Sequence, residues 1–406
     1  MPTVGATVLG ILLAGCGSAR PGDSEPTSSA SASVSGPASP STASLSVNGP
    51  WHAWTASLTA PEASGTCGAT AHQVVCSTAP DGLVGRSRAT GAVTWRVAVT
   101  GSGKNGGLVV DAADERAMTS SSRVLRAANL RTGKQAWTHR LPDEHSYLAV
   151  GAADGVVYAL ESAGSTRRAI TLAAFRASSG AALWHRAVDA DLGEGIAAFG
   201  GRIYVTDGTK VTARDARSGT TVATSPSGTR CPHLIAGGTY LVCTGSPLSA
   251  EDTFPPLRRL DPATLAPLPT AEDTGMKPER GLISPDGVLM LFEDSAEDPG
   301  AGTWNAYDLE HRRRLWSYDT SSKQGGLVGG RFVTFTPDND TTRGRLISID
   351  LHAGQDATGA AAPRMSARYP QTAGSGFPAL VVPGGGSGHV VVEPSPRHTL
   401  RSIPLP

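Results

Sequence analysis

The chain has 406 residues, and its 35 Lys plus Arg are balanced by 35 Asp plus Glu. That neutrality excludes the one-signed field of a nucleic-acid binder or of a protein held electrostatically on an anionic membrane. The 49 Gly and 29 Pro, with few runs of helix formers, exclude a helical bundle and favour many short strands joined by turns.

The first element is an apolar run, residues 4–13, too short to cross a bilayer and ending in Leu13-Ala-Gly-Cys16. That tetrapeptide resembles the bacterial lipobox, which implies a signal peptide over residues 1–15 and lipidation of Cys16. The competing reading is a chance cysteine at the end of an apolar strand, and no Lys or Arg precedes the run as a usual leader would have. Residues 16–50 then consist almost wholly of Ser, Pro, Ala, Thr and Gly, a composition that cannot bury enough apolar surface to offset its ordering entropy. They are expected to be a disordered tether.

From residue 51 a phrase recurs: a Thr-Gly or Ser-Gly turn, a short spacer and a Trp. It reads Thr90-Gly-Ala-Val-Thr-Trp95, Thr132-Gly-Lys-Gln-Ala-Trp137 and Ser179-Gly-Ala-Ala-Leu-Trp184, with weaker copies beginning at Asp215, Asp261, Asp308 (ending in Trp316) and Asp350. Between these phrases, Gly- or Asp-containing turns lead into apolar strands near residues 71, 114, 154, 200, 237, 286, 329 and 388, which makes eight. Asp-Gly and Gly-Gly are hairpin cues because tight turns need positive φ. A period of roughly 40–50 residues with four strands per unit predicts an all-β propeller of four-stranded antiparallel blades over residues 51–406. Trp54 opens a closing strand with no blade in front of it, and residues 366–405 supply three strands without a Trp. Pairing the two closes eight blades and hides both sheet edges, with seven blades as the runner-up. Trp54, Trp95, Trp137, Trp184 and Trp316 are expected to pack between blades.

The Thr-Gly-spacer-Trp phrase resembles the pyrroloquinoline-quinone-like propeller repeat family. The resemblance covers residues 51–406 and implies the fold far more than a function, because that family spans quinone-dependent dehydrogenases, an outer-membrane assembly lipoprotein and kinase sensor domains.

With Cys16 assigned to lipid, four cysteines allow three connectivities. Cys67 and Cys76 lie symmetrically about Ala71-His72, and Cys231 and Cys243 about Gly237. Directly opposed residues of a hairpin are close enough to bridge, so each pair is expected to form a disulfide in its own blade, against the alternative of four buried thiols.

No phosphate-binding loop, His-Glu-x-x-His or nucleophile-elbow motif occurs. His139 and His185 follow Trp137 and Trp184 at matching positions and read as surface strand residues. Asp338-Asn-Asp340 lacks the spacing of a calcium loop and reads as a turn, as does Arg312-Arg-Arg314. The quinone-dependent branch of the family carries an adjacent cysteine pair, which this chain lacks. No cofactor, metal or catalytic residue is therefore expected. The sequence points to an exported, lipid-anchored binding or scaffold module on the outer face of a bacterial cell membrane, with an envelope protein or glycan as partner. The alternative is an enzyme with its site in the central funnel, of the quinone-dependent dehydrogenase or polysaccharide lyase or hydrolase type.

Overall fold

The computed structural model describes residues 50–63, 65–100, 105–163, 169–189, 196–245, 257–270, 277–294, 302–320, 322–336, 343–370, 379–381, 388–393 and 399–406, all within the unit Leu45–Pro406. Residues 1–49, with the expected signal peptide, Cys16 and most of the tether, lie outside them, as does Asp338-Asn-Asp340.

Eight four-stranded antiparallel sheets follow one another along the chain. Blades 1 to 7 span residues 67–97, 105–140, 145–188, 196–224, 233–268, 277–320 and 325–365. Blade 8 combines Ala379–Val381, His389–Glu393 and Thr399–Pro404 with the N-terminal strand Trp54–Ser57, which pairs outside Thr399–Pro404 in the register Thr55↔Arg401. The ring is an eight-bladed β-propeller closed by its two ends. A small ribbon, Arg343–Gly344 with Tyr369–Pro370, is appended to blade 7.

Local chemistry explains the hairpins. Asp154-Gly155, Gly200-Gly201 and Gly329-Gly330 all take positive φ at both positions, the geometry whose twist matches two antiparallel strands. The core is a series of layers between blades rather than one central mass. Met118, Leu125 and Trp137 of blade 2 pack on Val157, Ala173 and Phe175 of blade 3, and the other face of blade 3, with Val156, Leu160 and Leu172, packs on Ile203 and Val205 of blade 4. Alternate residues of each middle strand thus serve opposite neighbours, so these strands are apolar throughout instead of alternating.

Candidate binding cleft at a blade junction

Blades 1 to 7 each carry the same kind of turn before the outermost strand, and the Trp of the preceding blade docks on five of these turns. The Trp of one blade lies on the Gly of the next: Trp54 on Gly91, Trp95 on Gly133, Trp137 on Gly180, Trp184 on Gly219 and Trp316 on Gly354. A Cβ at any of these glycines would come within 2.5–2.7 Å of the ring, and all five have φ between 66° and 79°. Each indole N–H donates to the carbonyl three residues before its glycine: Arg88 (2.7 Å), Leu130 (2.8 Å), Ala177 (2.9 Å), Ala216 (3.0 Å) and Leu351 (2.9 Å).

Two of the junctions that lack the Trp solve the same problem differently. Between blades 4 and 5, Ala223 occupies the Trp position and Leu265 the Gly position, and the two share one apolar cluster. The equivalent carbonyl, Pro262, accepts from Arg202 (2.9 Å) and from the Tyr204 hydroxyl (3.1 Å). Between blades 5 and 6, Arg312 takes the Gly position, and the Leu309 carbonyl accepts from Arg259 (3.0 Å). Leu265 and Arg312 keep the left-handed conformation, at φ 60° and 58°.

The disulfides are Cys67–Cys76 and Cys231–Cys243. The first joins directly opposed residues. The second has the expected partners but not the expected symmetry. The hairpin is centred after Gly238, with Gly237 opposite Tyr240, so Cys243 faces Leu234 and Cys231 lies before the strand. Cys231 is held there by blade 4, its N–H donating to the Gly208 carbonyl at 2.9 Å.

His139 is more than a surface residue. It stacks on Phe175 with centroids 4.4 Å apart and hydrogen-bonds the Gly180 carbonyl, so it belongs to the blade 2–3 junction, whereas His185 is exposed. Arg312, Arg313 and Arg314 are exposed. Trp51 and Trp304, which stand outside the repeat phrase, are core residues. Among the described residues no group of three His, Cys, Asp or Glu is arranged to hold a metal.

Charged groups also enter the junctions. Arg86 of blade 1 pairs with Glu62 at 2.6 Å, and Arg126 of blade 2 with Asp81 at 3.2 Å, all four side chains being almost fully buried. Burial pushes Glu62 up, but hydrogen bonds from Thr59 and Arg86 outweigh it and hold the carboxyl below its ordinary range. Glu161, on the face of blade 3 turned to blade 2, is different. It is 8 % exposed, one of its oxygens has no partner, and burial pushes its carboxyl up to about 7.

Sequence reasoning passed over a cleft of about 500 Å³ between blades 3 and 4. Its lining includes Arg214, Lys210, Asp189, Thr212, Thr221 and Thr224. Arg214 donates to the Gly219 carbonyl at 2.9 Å, while its buried Nε has no partner. Burial, then the charge of nearby Arg186, pushes the guanidinium below its ordinary value. No motif marks this site, because its residues come from five strands of two blades. The arrangement offers fixed positive charge beside hydroxyls that both donate and accept, which is chemistry for holding an anionic, hydroxylated group rather than for bond breaking.

Fold and junctions together define an eight-bladed propeller of pyrroloquinoline-quinone-like repeats. Residues 51–166 and 167–246 match the family described as outer membrane protein assembly factor BamB. BamB from Moraxella catarrhalis is 14% identical with a TM-score of 0.56, over 86% of this chain and 98% of that one. The computationally designed Ika8 protein is 13% identical with a TM-score of 0.60, over 86% and 98%. Quinohemoprotein alcohol dehydrogenase from Comamonas testosteroni is 12% identical with a TM-score of 0.55, over 88% and 76%. At these identities the likeness is one of fold. No curated protein matches the sequence.

Proposed function

We propose that this protein is a non-catalytic binding module of the bacterial envelope, exported, anchored through lipid on Cys16 and displayed on the tether of residues 16–50. The observation that carries the reading is BamB-like repeats within a ring whose two ends share one blade. Such a ring is a rigid platform whose loops and junctions form recognition surfaces from several blades, and a tether raises its effective concentration near the membrane. Two disulfides accord with an oxidising compartment. The family's described role in outer membrane protein assembly makes an envelope protein or glycan the class of partner sought.

The test is cross-linking in intact cells followed by membrane fractionation, with wild type and Cys16→Ser side by side. The reading expects wild type in the membrane fraction, cross-linked to a reproducible envelope partner, and the variant released. Retention of Cys16→Ser in the membrane, or wild type cross-linked to nothing, would contradict it.

A further inference from the structure

We infer that the cleft between blades 3 and 4 binds the carboxylate of an acidic saccharide, with Arg214 as its principal anion contact. The inference deepens the binding-module reading by naming a ligand class, and it rests on comparing junctions within the same chain.

Arg86 and Arg214 occupy the same place in their blades. Each is the first residue after the register shift in its third strand, paired with Val93 and Thr221 respectively. Each donates to the carbonyl of the Gly five residues on, Gly91 at 3.0 Å and Gly219 at 2.9 Å. There the likeness stops. Arg86 also donates to the carbonyl of Ser57, three residues after Trp54, at 3.1 Å, and its charge is met by Glu62. Arg126 repeats the scheme from another position: it donates to the carbonyl of Ala98, three residues after Trp95, at 2.7 Å, and meets Asp81. At the third junction the corresponding residue is Ala187, three after Trp184, and it lines the open cleft without receiving a bond from Arg214. Among the described residues no carboxylate reaches Arg214.

Two junctions therefore fill the space beside the interblade arginine with a carboxylate of the chain itself, and the third leaves an opening of about 500 Å³. That size lies within the range of ligand clefts, about 300–1,000 Å³. A guanidinium presents paired N–H donors that match a carboxylate, so the group missing from this junction is the one its neighbours contain. Lys210 adds positive charge at the rim, although Asp207 lies 3.6 Å from its ammonium. Thr212, Thr221 and Thr224 provide hydroxyls and Asp189 an acceptor, a lining suited to the ring hydroxyls of a sugar. An acidic peptide would satisfy the arginine and leave those hydroxyls without matching partners.

Isothermal titration calorimetry of the detergent-solubilised full chain decides the matter, with trigalacturonate as the probe, maltotriose as its uncharged counterpart and tetraglutamate as the peptide arm. The inference expects trigalacturonate to bind, to weaken with added salt, and to lose at least about tenfold in affinity in Arg214→Gln, the loss of roughly 1.4 kcal/mol of contact. Absence of binding, unchanged affinity in Arg214→Gln, or tetraglutamate or maltotriose binding as tightly would overturn it. If Arg214→Gln does not fold, Thr221→Val with Thr224→Val replaces it, with at least about threefold weakening expected and no change overturning the inference. A protein that ignores trigalacturonate yet still cross-links its envelope partner loses this inference and keeps the binding-module reading.

Discussion

At the scale of the residue, the junctions behave as a two-letter code. A Trp in one blade requires Gly in the next, because the ring occupies the space where a Cβ would stand, and where the Trp is missing the Gly becomes Leu265 or Arg312 at the same backbone geometry. Positive φ alone therefore does not dictate the glycine; the ring above it does. Gly180→Ala combines a left-handed non-Gly backbone, about 1–2 kcal/mol, with an overpacked contact, about 1–3 kcal/mol, so we expect a loss of about 2–5 kcal/mol in urea melts. Arg312→Gly should fall within about 0.5 kcal/mol of wild type, since relief of the same conformation offsets the greater freedom of the unfolded chain. Equal costs for the two would refute the code. Protonation belongs to this scale as well. Glu161 is held up to about 7 by burial, so between its ordinary carboxylate range and about pH 7 the native state holds a proton that the unfolded chain has released. Stability should fall as pH rises through that window and level off above it. Glu161→Gln should abolish the slope and be the more stable protein at pH 8, by about 1–3 kcal/mol, as measured by denaturant titration at a series of pH values.

At the scale of the element, the hairpin staples and buried pairs sit where neighbouring blades must be held. Cys67 and Cys76 share a cluster with Trp51, Val391 and Leu400, which places one disulfide against the closing blade. Cys231 bonds across to blade 4, at a junction without a Trp. Loops this short are worth about 2–3 kcal/mol each on the chain-entropy account. Replacing Cys231 and Cys243 by Ala should cost about that much and should speed hydrogen exchange in blades 4 and 5 together; a response confined to blade 5 would mean that the bond does not couple them. Glu62→Gln leaves the Arg86 charge buried without its partner and should cost about 3–5 kcal/mol at neutral pH. Because the Glu62 carboxyl is held low, its contribution is complete above the unfolded-state value and is lost as pH falls through the folded one. The variant should therefore show a shallower acid-side decline than wild type.

At the scale of the whole molecule, repetition made the architecture legible and its exceptions hid the site. The Trp phrases and the eight turn-strand signals locate all eight blades, since each follows from a local need: positive φ in a hairpin, or a ring above a glycine. The lone Trp54 and the surplus C-terminal strands foretell the shared blade for the simple reason that an unpaired edge requires a partner. Cys231 pairs with Cys243 although the turn is centred after Gly238 and not on Gly237, because a bond to the neighbouring blade, invisible in local spacing, holds Cys231. The cleft was not legible at all. It lies beside an arginine that lacks the carboxylate two others have, and such a difference is visible only when blades lie side by side. The junctions exist as a complete set only if the ring is closed in the register Thr55↔Arg401. Introducing Thr55→Cys with Arg401→Cys and mapping disulfide-linked peptides by mass spectrometry under oxidising conditions tests this most directly. The closed ring predicts a cross-link between residues 55 and 401 alongside the two native pairs. Native pairs forming while both new thiols stay free, or join elsewhere, would contradict it.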